Sequence, residues 1–494
     1  MAQALLHESS LNSPDIHRMK LADFYPSKKS IIISFIFFCS INPLLAQNNI
    51  FDQKPEVKLR YYRDVRDTTV KRRFGRAVFE LGIAEITPWI FDRYVANKDY
   101  ARINWKSTAH NLNPGNWEFD NDPFQTNQFG HPYHGSLFYS AFRSNGFSFW
   151  QSVPATMAGS YLWETFAENQ APAPNDFINT TFGGIVLGEM TFRLSNRIVN
   201  NRQRGFKRQA SEVAGFIINP MRGLNRILDG TWGKVYGNTT ERDSSKIGAE
   251  FDLGGRIFNS QSVSPFEHGR FGWFGRAALL YGVPNEGFRK PFSNISITAE
   301  FGKDDSSSVN VISVYGSLTG WDVSVIDQDK MENLVILSAN YDYIRNQAFF
   351  YGAQSVKFNL FSELKLTDDI KINGNLGAGP ILLAAVPDQY LYNNRNYDYG
   401  PGFSVNGGGT IKLLNKLSYS ANYRGGWMIT VNGNKSHYFL HTFSNEVSYM
   451  FIKGLSIAAE SGYFRLEGNY HDYPDVNKKY PYLRISTRYT IGNL

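Results

Sequence analysis

Residues 417–431 read LSYSANYRGGWMITV, and residues 483–491 read LRISTRYTI. In both stretches apolar or aromatic residues alternate with polar or charged ones. A period of two is the pattern of a β-strand whose two faces meet different surroundings. These stretches therefore predict strands that are apolar on one side and hydrophilic on the other.

The same alternation recurs throughout residues 246–494. We expect about twelve strands there, at approximately 246–257, 270–281, 294–302, 308–318, 334–344, 354–366, 370–382, 402–414, 417–431, 438–452, 455–466 and 480–491. Most are longer than the five or six residues usual in a β-sandwich, which is the soluble alternative. Because only helices and closed barrels satisfy their backbone groups in lipid, the pattern predicts an antiparallel transmembrane β-barrel in an outer membrane.

A wet lumen requires the charged positions of these strands to point inward. The expected inward set is Glu250, Asp252, Arg256, Arg276, Glu300, Asp342, Lys357, Glu363, Lys371, Lys412, Arg424, Glu446, Glu460, Arg484 and Arg488. The outward set is almost free of charge and rich in aromatic residues, as expected for a lipid-facing wall.

The N-terminal region has the features of a secretory signal. Two lysines precede the apolar run Ile31–Leu45, and the small residue Ala46 follows it. We expect residues 1–46 to be a signal peptide with an upstream extension and a functional start at Met19; a retained anchor is the alternative. Cleavage would remove Cys39, the chain's one cysteine, and with it disulfides, cysteine metal sites and thiol nucleophiles.

Between the signal and the barrel we expect two further regions. Residues 47–73 are polar and charged and predict a linker, whereas residues 74–235 predict a helical module, either periplasmic or acting as a lumen plug. The formal net charge is +7, but no basic cluster is interleaved with aromatic residues on one face. Nucleic acid is therefore not an expected partner.

Helical periodicity and cap residues predict three helices in the module. The first is Phe74–Val95, with apolar residues at helical spacing. The second is expected from Val153 to Glu168 with Ser152 as its N-cap, and the third from an Asn175 cap to about Ile198. The third carries small residues that allow another helix or the barrel wall to approach closely: Gly183, Gly184 and Gly188.

The connections between the strands predict an orientation. With the C-terminus on the periplasmic side, Glu467–Lys479 and Pro387–Tyr399 are long external loops, and Lys453–Gly454 is a tight periplasmic turn. An even number of strands returns the N-terminal end of the barrel to the periplasmic side. The helical module is then expected beneath the barrel or inside it.

Several motifs of the module resemble a known family. They are HPYHGS at 131–136, RSNGFSFW at 143–150, AGSYLWE at 158–164, PNDFINTTFGGIVLGE at 174–189 and NPMRGLNR at 219–226. Over roughly residues 115–230 the chain resembles bacterial outer-membrane proteins of domain of unknown function 3943, common in the Bacteroidota. The resemblance implies an outer-membrane setting with a helical module attached to a barrel, and it implies no catalytic assignment.

Five side chains of this region form a candidate site. His131 and His134 are three residues apart, Glu164 and Glu168 are four apart, and Asp176 follows after a short Pro-containing loop. Two imidazoles and three carboxylates could bind a divalent metal or act as an acid/base pair. Such donors suit Zn²⁺, Mn²⁺ or Fe²⁺ better than Cu⁺. The metal candidates are the two histidines and two glutamates, and no cofactor is assigned.

A structural role for these residues is the competing interpretation. The spacing matches no metalloprotease helix, and Pro132 disfavours a regular helix through the histidine pair. Asp176 is what a helix N-terminus favours, and the two glutamates could pair with Arg143 or Arg193. Hydrogen bonds and ion pairs that hold the helices together would explain the same residues.

Two function classes follow from these patterns. The first is a non-enzymatic outer-membrane barrel whose helical module plugs or lines the lumen and binds a small-molecule ligand, a lipid or an envelope partner. The second is an outer-membrane hydrolase or acyl-transfer enzyme that uses the His/Glu/Asp site. The sequence assigns neither a substrate nor an oligomeric state.

Overall fold

The computed structural model describes residues 71–237, 245–283, 287–304, 307–323 and 331–492. The expected signal peptide and most of the expected linker lie outside these residues. Over the part of the chain that is described, no helix is both long enough and apolar enough to cross a membrane.

Residues 71–237 are helical. Their α-helices are α1 Phe74–Ile90, α2 Trp105–Asn111, α3 His131–Arg143, α4 Phe149–Phe166, α5 Pro174–Ile178, α6 Gly184–Ile198, α7 Gly205–Ile218 and α8 Pro220–Leu228. Short π-helical turns extend α1 through Phe91–Val95, precede α3 at Thr126–Gly130 and join α5 to α6 through Asn179–Gly183. One 3₁₀ turn lies at Pro114–Asn116.

Helix α4 begins earlier than the sequence indicates. The Ser148 side chain accepts a hydrogen bond from the backbone amide of Gln151, and the Gln151 side chain accepts one from the backbone amide of Ser148. This reciprocal capping box satisfies two amide groups that a single cap leaves unpaired. Helix α4 therefore starts at Phe149, and the expected cap at Ser152 is wrong, because Ser152 is already inside the helix.

The remaining described residues form a closed antiparallel barrel. Its strands are β1 Ile247–Phe258, β2 Arg270–Tyr281, β3 Ile295–Asp304, β4 Ser307–Asp322, β5 Met331–Arg345, β6 Phe350–Lys365, β7 Ile370–Tyr392, β8 Arg395–Leu413, β9 Leu417–Ile429, β10 Ser436–Ile452, β11 Leu455–Tyr470 and β12 Val476–Gly492. Each strand pairs with its neighbours in sequence, and β1 pairs with β12 to close the cylinder. The expected fold class, with twelve strands, is confirmed.

Two of the expected long loops are instead strand extensions. Strands β7 and β8 continue through the expected loop at 387–399 to a two-residue turn, Asn393–Asn394, where both residues have positive φ. Asparagine tolerates this left-handed conformation, which the tightest hairpin turns require. The connection expected at 467–479 likewise shortens to residues 471–475.

The lumen is occupied by side chains of the barrel itself. Arg276 on β2 donates to Glu446 on β10 at 3.1 Å, although β1, β12 and β11 lie between these strands around the wall. On the other side Arg424 of β9 donates to Asp342 of β5 at 3.0 Å. These bonds cross the barrel interior, which shows that the charged row points inward as expected and that ion pairs span the lumen.

Outward-facing residues on β9–β12 are mainly apolar and exposed, and so are some outward residues of the other strands. On β1, Phe251 and Leu253 alternate with the buried Asp252, and the Leu253 side chain is 68% exposed. Phe443 and Val447 on β10 and Ile457 on β11 are exposed in the same way. An apolar exterior around a charged interior is the arrangement of a transmembrane barrel. The protein is therefore an outer-membrane barrel.

The helical module packs against the outer wall of this barrel. On β5, Tyr341 and Tyr343 flank the lumen-facing Asp342 and so point outward, yet Tyr343 is only 1% exposed. Tyr341 donates to the backbone oxygen of Gln128 at 3.0 Å, and Gln354, outward on β6, donates to Asn179 at 2.7 Å.

The expectation of a lumen plug, or of a module beneath the barrel, is therefore wrong for the described residues. Helical side chains meet the outward row of β1–β8, while the inward row is engaged in its own ion pairs. The shared core contains Phe149 and Met190 from the helices and Ile295 and Val314 from the wall. An apolar outer wall can bind either lipid or a helix, so alternation alone could not distinguish the two.

Candidate metal centre

Three of the five expected site residues converge. His131 opens α3, Glu164 lies in the last turn of α4, and Asp176 lies in the first turn of α5. One ligand atom from each lies within 4.8 Å of the other two, and His131 Nε2 is 3.2 Å from Asp176 Oδ1. Glu164 and Asp176 are buried. One imidazole and two carboxylates from three separate helices form a mixed nitrogen and oxygen donor set.

A close helix crossing brings these elements together. Gly135 of α3 lies against the π-helical turn that precedes α6, and a Cβ on Gly135 would come within 1.8 Å of the Thr180 carbonyl oxygen. A Cβ on Gly184 would likewise come within 2.6 Å of Gly135 Cα. The small residues expected to allow close approach therefore admit helix α3. The crossing brings Thr180 Oγ1 to 3.3 Å from His131 Nδ1.

Helix α3 includes the histidine pair, contrary to the expectation based on Pro132. Proline is tolerated in a first helical turn because the amide group that it lacks has no helical partner there. The two histidines nevertheless diverge. His134 Nε2 donates to the backbone oxygen of Ala84 at 3.0 Å, and its ring packs edge-on against Trp163. His134 is therefore outside the converging set.

Hydrogen bonds fix the two carboxylates. Glu164 accepts from the backbone amide of Ala173 at 3.0 Å, and Asp176 accepts from the side-chain amide of Asn175 at 2.8 Å. Asn175 is not the cap of this helix, as expected from the sequence, because the cap position is Ala173 and Pro174 begins the helix. The Asn175 side chain instead links Asp176 to Asp120, to which it donates at 2.5 Å.

Burial and mutual repulsion dominate the electrostatics of the cluster. Burial raises the pKa of Glu164 well above its usual range, and the neighbouring carboxylate of Glu168 raises it further. Burial also raises the pKa of Asp176, with added repulsion from Asp120 and from the two glutamates. Burial lowers the pKa of His131 to about 4, so its imidazole is neutral at pH 7. A neutral imidazole is the form that binds a metal.

Glu168 lies beside the converging set but has its own partner. Trp163 Nε1 donates to Glu168 Oε1 at 2.6 Å. Burial raises the pKa of Glu168 to about 7, although the bond from Trp163 acts in the opposite direction. Glu168 therefore provides a carboxyl group that can gain or lose a proton near neutral pH, next to the three candidate ligands.

Two acidic residues of the cluster were not identified from the sequence. Asp120 and Asp122 lie in the loop before α3, and their charges act on both Glu164 and Asp176. Burial, and then repulsion by Asp120, raises the pKa of Asp122 to about 6. The one sequence signal for these residues was an acidic pair within an Asn- and Pro-rich loop. In most proteins such a pair is exposed to water and has no role in a site.

This loop attaches the cluster to the barrel. Arg395 at the start of β8 donates to the backbone oxygen of Asp120 at 2.9 Å, and the Tyr397 hydroxyl donates to that of Asp122. The Tyr399 hydroxyl accepts from Asn175 at 3.3 Å. The candidate centre therefore lies where the helical module meets the outward face of β8.

A separate ion-pair cluster holds α3 to α6. Arg143 and Arg193 both donate to the buried Glu189 at 2.8 Å, one to each oxygen, and Tyr139 donates to the same carboxylate at 2.8 Å. Burial raises the pKa of Glu189, but the two guanidinium groups outweigh burial and leave it below the usual value. The two arginines considered as partners of Glu164 and Glu168 thus bind Glu189.

Comparison with solved structures gives matches that cover about half of the chain. They include an outer membrane channel, DcaP, of Acinetobacter baumannii (8% identity, 50% of this chain and 97% of that chain, TM-score 0.25) and the NanC porin (10%, 48% and 98%, TM-score 0.28). An outer membrane channel from Pseudomonas putida F1 matches at 9% identity over 50% of this chain and 95% of that chain, with a TM-score of 0.29. The fold assignment rests on the strand pairing given above.

Comparison with known sequences gives a family match within the helical module. No curated protein sequence matches the chain. Residues 116–221 match the model of a family described as Domain of unknown function (DUF3943), and all five candidate site residues lie within that match.

Proposed function

We propose that this outer-membrane barrel is a metalloprotein whose helical module binds one divalent cation through His131, Glu164 and Asp176. The observation that supports the proposal is the convergence of one ligand atom from each residue within 4.8 Å of the others. Neutral imidazole and carboxylate donors suit Zn²⁺, Mn²⁺ or Fe²⁺.

The charge balance of the cluster supports a cation. The strongest charges acting on Asp176 come from four other carboxylates, those of Asp120, Glu164, Glu168 and Asp122. Uncompensated negative charge away from water is costly, and proteins relieve it by protonation or by binding a metal. A divalent ion between His131 and the two nearest carboxylates would allow them to ionise.

The arrangement favours hydrolysis over a purely structural metal role. Structural zinc sites usually have four protein ligands, whereas catalytic sites commonly have three and leave one position for water or substrate. A bound divalent ion would make that water more acidic. Glu168, with its pKa raised to about 7, would exchange a proton beside the three ligands. We therefore favour an outer-membrane hydrolase over a non-enzymatic ligand-binding barrel.

The barrel in this proposal is a scaffold rather than a pore. Ion pairs between Arg276 and Glu446 and between Arg424 and Asp342 cross its interior. The helical module is attached to the outward face, so the candidate centre does not open into the lumen. The contacts of Asp120 and Asp122 with β8 would hold the centre in place.

The test is metal analysis of purified full-length protein with matched variants. We expect about one divalent ion per chain and a higher melting temperature with added Zn²⁺ or Mn²⁺, because a ligand at 100 times its dissociation constant stabilises a protein by about 2.7 kcal/mol. Glu164→Gln and Asp176→Asn should abolish both effects. His134→Ala is the control, because His134 bonds to Ala84 instead.

The alternative is that the cluster only holds the helices together. In that case no ion would be bound, added metal would leave the melting temperature unchanged, and Asp176→Asn would alter stability alone. That result would reject the metalloprotein and leave a barrel with a structural helical module.

A further inference from the structure

Helix α4 has an apolar face at the protein surface, and it carries a row of polar side chains on the face that packs against the protein. The polar side chains Ser152, Thr156, Ser160 and Glu164 are buried against the protein. Its exposed face is formed mainly by Trp150, Pro154, Met157, Ala158, Tyr161, Leu162 and Phe166. A helix at a water-exposed surface has the reverse arrangement. Polar residues that face the protein interior and apolar residues that face outward are the pattern of a helix surrounded by lipid.

Helix α1 repeats this arrangement. Its apolar residues at helical spacing do not form the core: Phe79 is 61% exposed and Ile86 is 56% exposed, and Ile90 is also exposed. The buried face consists of small and aliphatic residues together with Glu80, which accepts from Asn145 and Asn225 at 2.7 Å. The helical module thus has two neighbouring helices whose outward faces are apolar.

The lipid-facing wall of the barrel continues directly beside the module. On β6, Gln354 bonds to the module, while Phe358, four residues further along the same outward row, is exposed. On β1, Ile247 is covered and Leu253, in the same row, is exposed. In both strands the residue exposed on the outer wall comes later in the chain than the residue covered by the module. Because β1 and β6 run in opposite directions, bare apolar wall lies toward opposite ends of the barrel at these two strands.

The positions of the module's contacts along the barrel axis indicate where the module lies relative to the membrane. Its contacts run obliquely across the outer wall, from the start of β8 at Tyr397 and Tyr399 to the start of β1 at Ile247. The starts of these two strands lie at opposite ends of the barrel, since β1 and β8 are antiparallel in the closed cylinder. A module that reaches from one end to the other across a lipid-facing wall crosses the level of the lipid.

We propose that the helical module lies in the outer membrane beside the barrel and that the outward faces of α1 and α4 contact lipid acyl chains. Irregular backbone at this depth must be covered by protein. The loop before α3 meets this condition, because Arg395 and Tyr397 donate to its carbonyl oxygens. This inference rests on the surfaces alone and does not depend on a bound metal.

Site-directed spin labelling of the full chain in lipid vesicles tests the inference. In a Cys39→Ser background, nitroxides at Met157→Cys and Ile86→Cys report on α4 and α1. Val447→Cys on the exposed wall of β10 is the lipid reference, and Lys416→Cys in the turn after β8 is the water reference. Power saturation measures collisions of each label with oxygen, which concentrates in lipid, and with a water-soluble nickel chelate.

We expect labels at positions 157 and 86 to give the same ratio of oxygen to nickel accessibility as the lipid reference at position 447. This ratio should exceed that of the water reference at position 416 several-fold. A ratio equal to that of the water reference would overturn the proposal. Low accessibility to both reagents would also overturn it, because a protein partner would then cover the two faces. The heat-modifiable gel mobility typical of barrels verifies that each variant is folded.

Discussion

Replacing Gly184 with alanine should destabilise the helical module, because α3 leaves no room for a Cβ. The new atom would lie 2.5 Å from the carbonyl carbon of Gly135 and 2.6 Å from its Cα. Both neighbours are backbone atoms, so one helix must move. Overpacking of this kind costs about 1–3 kcal/mol. Alanine also regains up to about 1 kcal/mol of helix propensity. We expect a net loss of up to about 2 kcal/mol, accompanied by weaker metal binding, since the crossing places His131 beside Asp176.

Thermal unfolding of full-length protein in detergent measures this effect. The matched control is Gly82→Ala in α1, where an added Cβ meets no other atom within 4 Å. That variant gains helix propensity without a clash and should be more stable than the parent by about 0.5–1 kcal/mol. Equal stability of the Gly184→Ala and Gly82→Ala proteins would refute the tight crossing as the element that organises the site.

A further prediction concerns conduction. In planar bilayers the full chain should carry no steady ohmic current, because the Arg276–Glu446 and Arg424–Asp342 pairs cross the lumen. A steady current would contradict a closed barrel.

The strands could be predicted because their signal is local. Alternation along each strand indicates which side chains share a face, and the crossing contacts of Arg276 and Arg424 show that the charged face is the inner one. The predicted ends of β7 and β8 were less accurate, because the continuation of these strands depends on a two-residue turn rather than on alternation.

The position of the helical module could not be predicted from the same signal. Tyr341 lies in an expected strand and on its outward side, but an outward tyrosine looks the same in sequence whether it meets lipid or a helix. Tyr399 was expected in an external loop and lies on β8 instead. Similarly, the apolar spacing of Phe79 and Ile86 predicts a helix and one apolar face, and it does not indicate whether that face meets protein or lipid. Only the tertiary contacts distinguish an apolar face that meets protein from one that meets lipid.

The candidate site was predicted in part. The sequence grouped His131, Glu164 and Asp176 with two further residues, and the structure brings these three together. His134 was grouped with His131 by spacing, but it faces α1 instead, because residues three apart on a helix point in somewhat different directions. Asp120 was missed because its role depends on a loop bound to the barrel wall, a contact between segments that are far apart in the chain.

The most direct test of the central claim is the metal content of the protein. Full-length protein purified without chelators, and the same protein stripped and then titrated with Zn²⁺ or Mn²⁺, should bind one divalent ion per chain. Asp176→Asn should abolish this binding, whereas His134→Ala should retain it. Absence of stoichiometric metal in the parent protein, or equal binding by both variants, would contradict a metal centre at His131, Glu164 and Asp176.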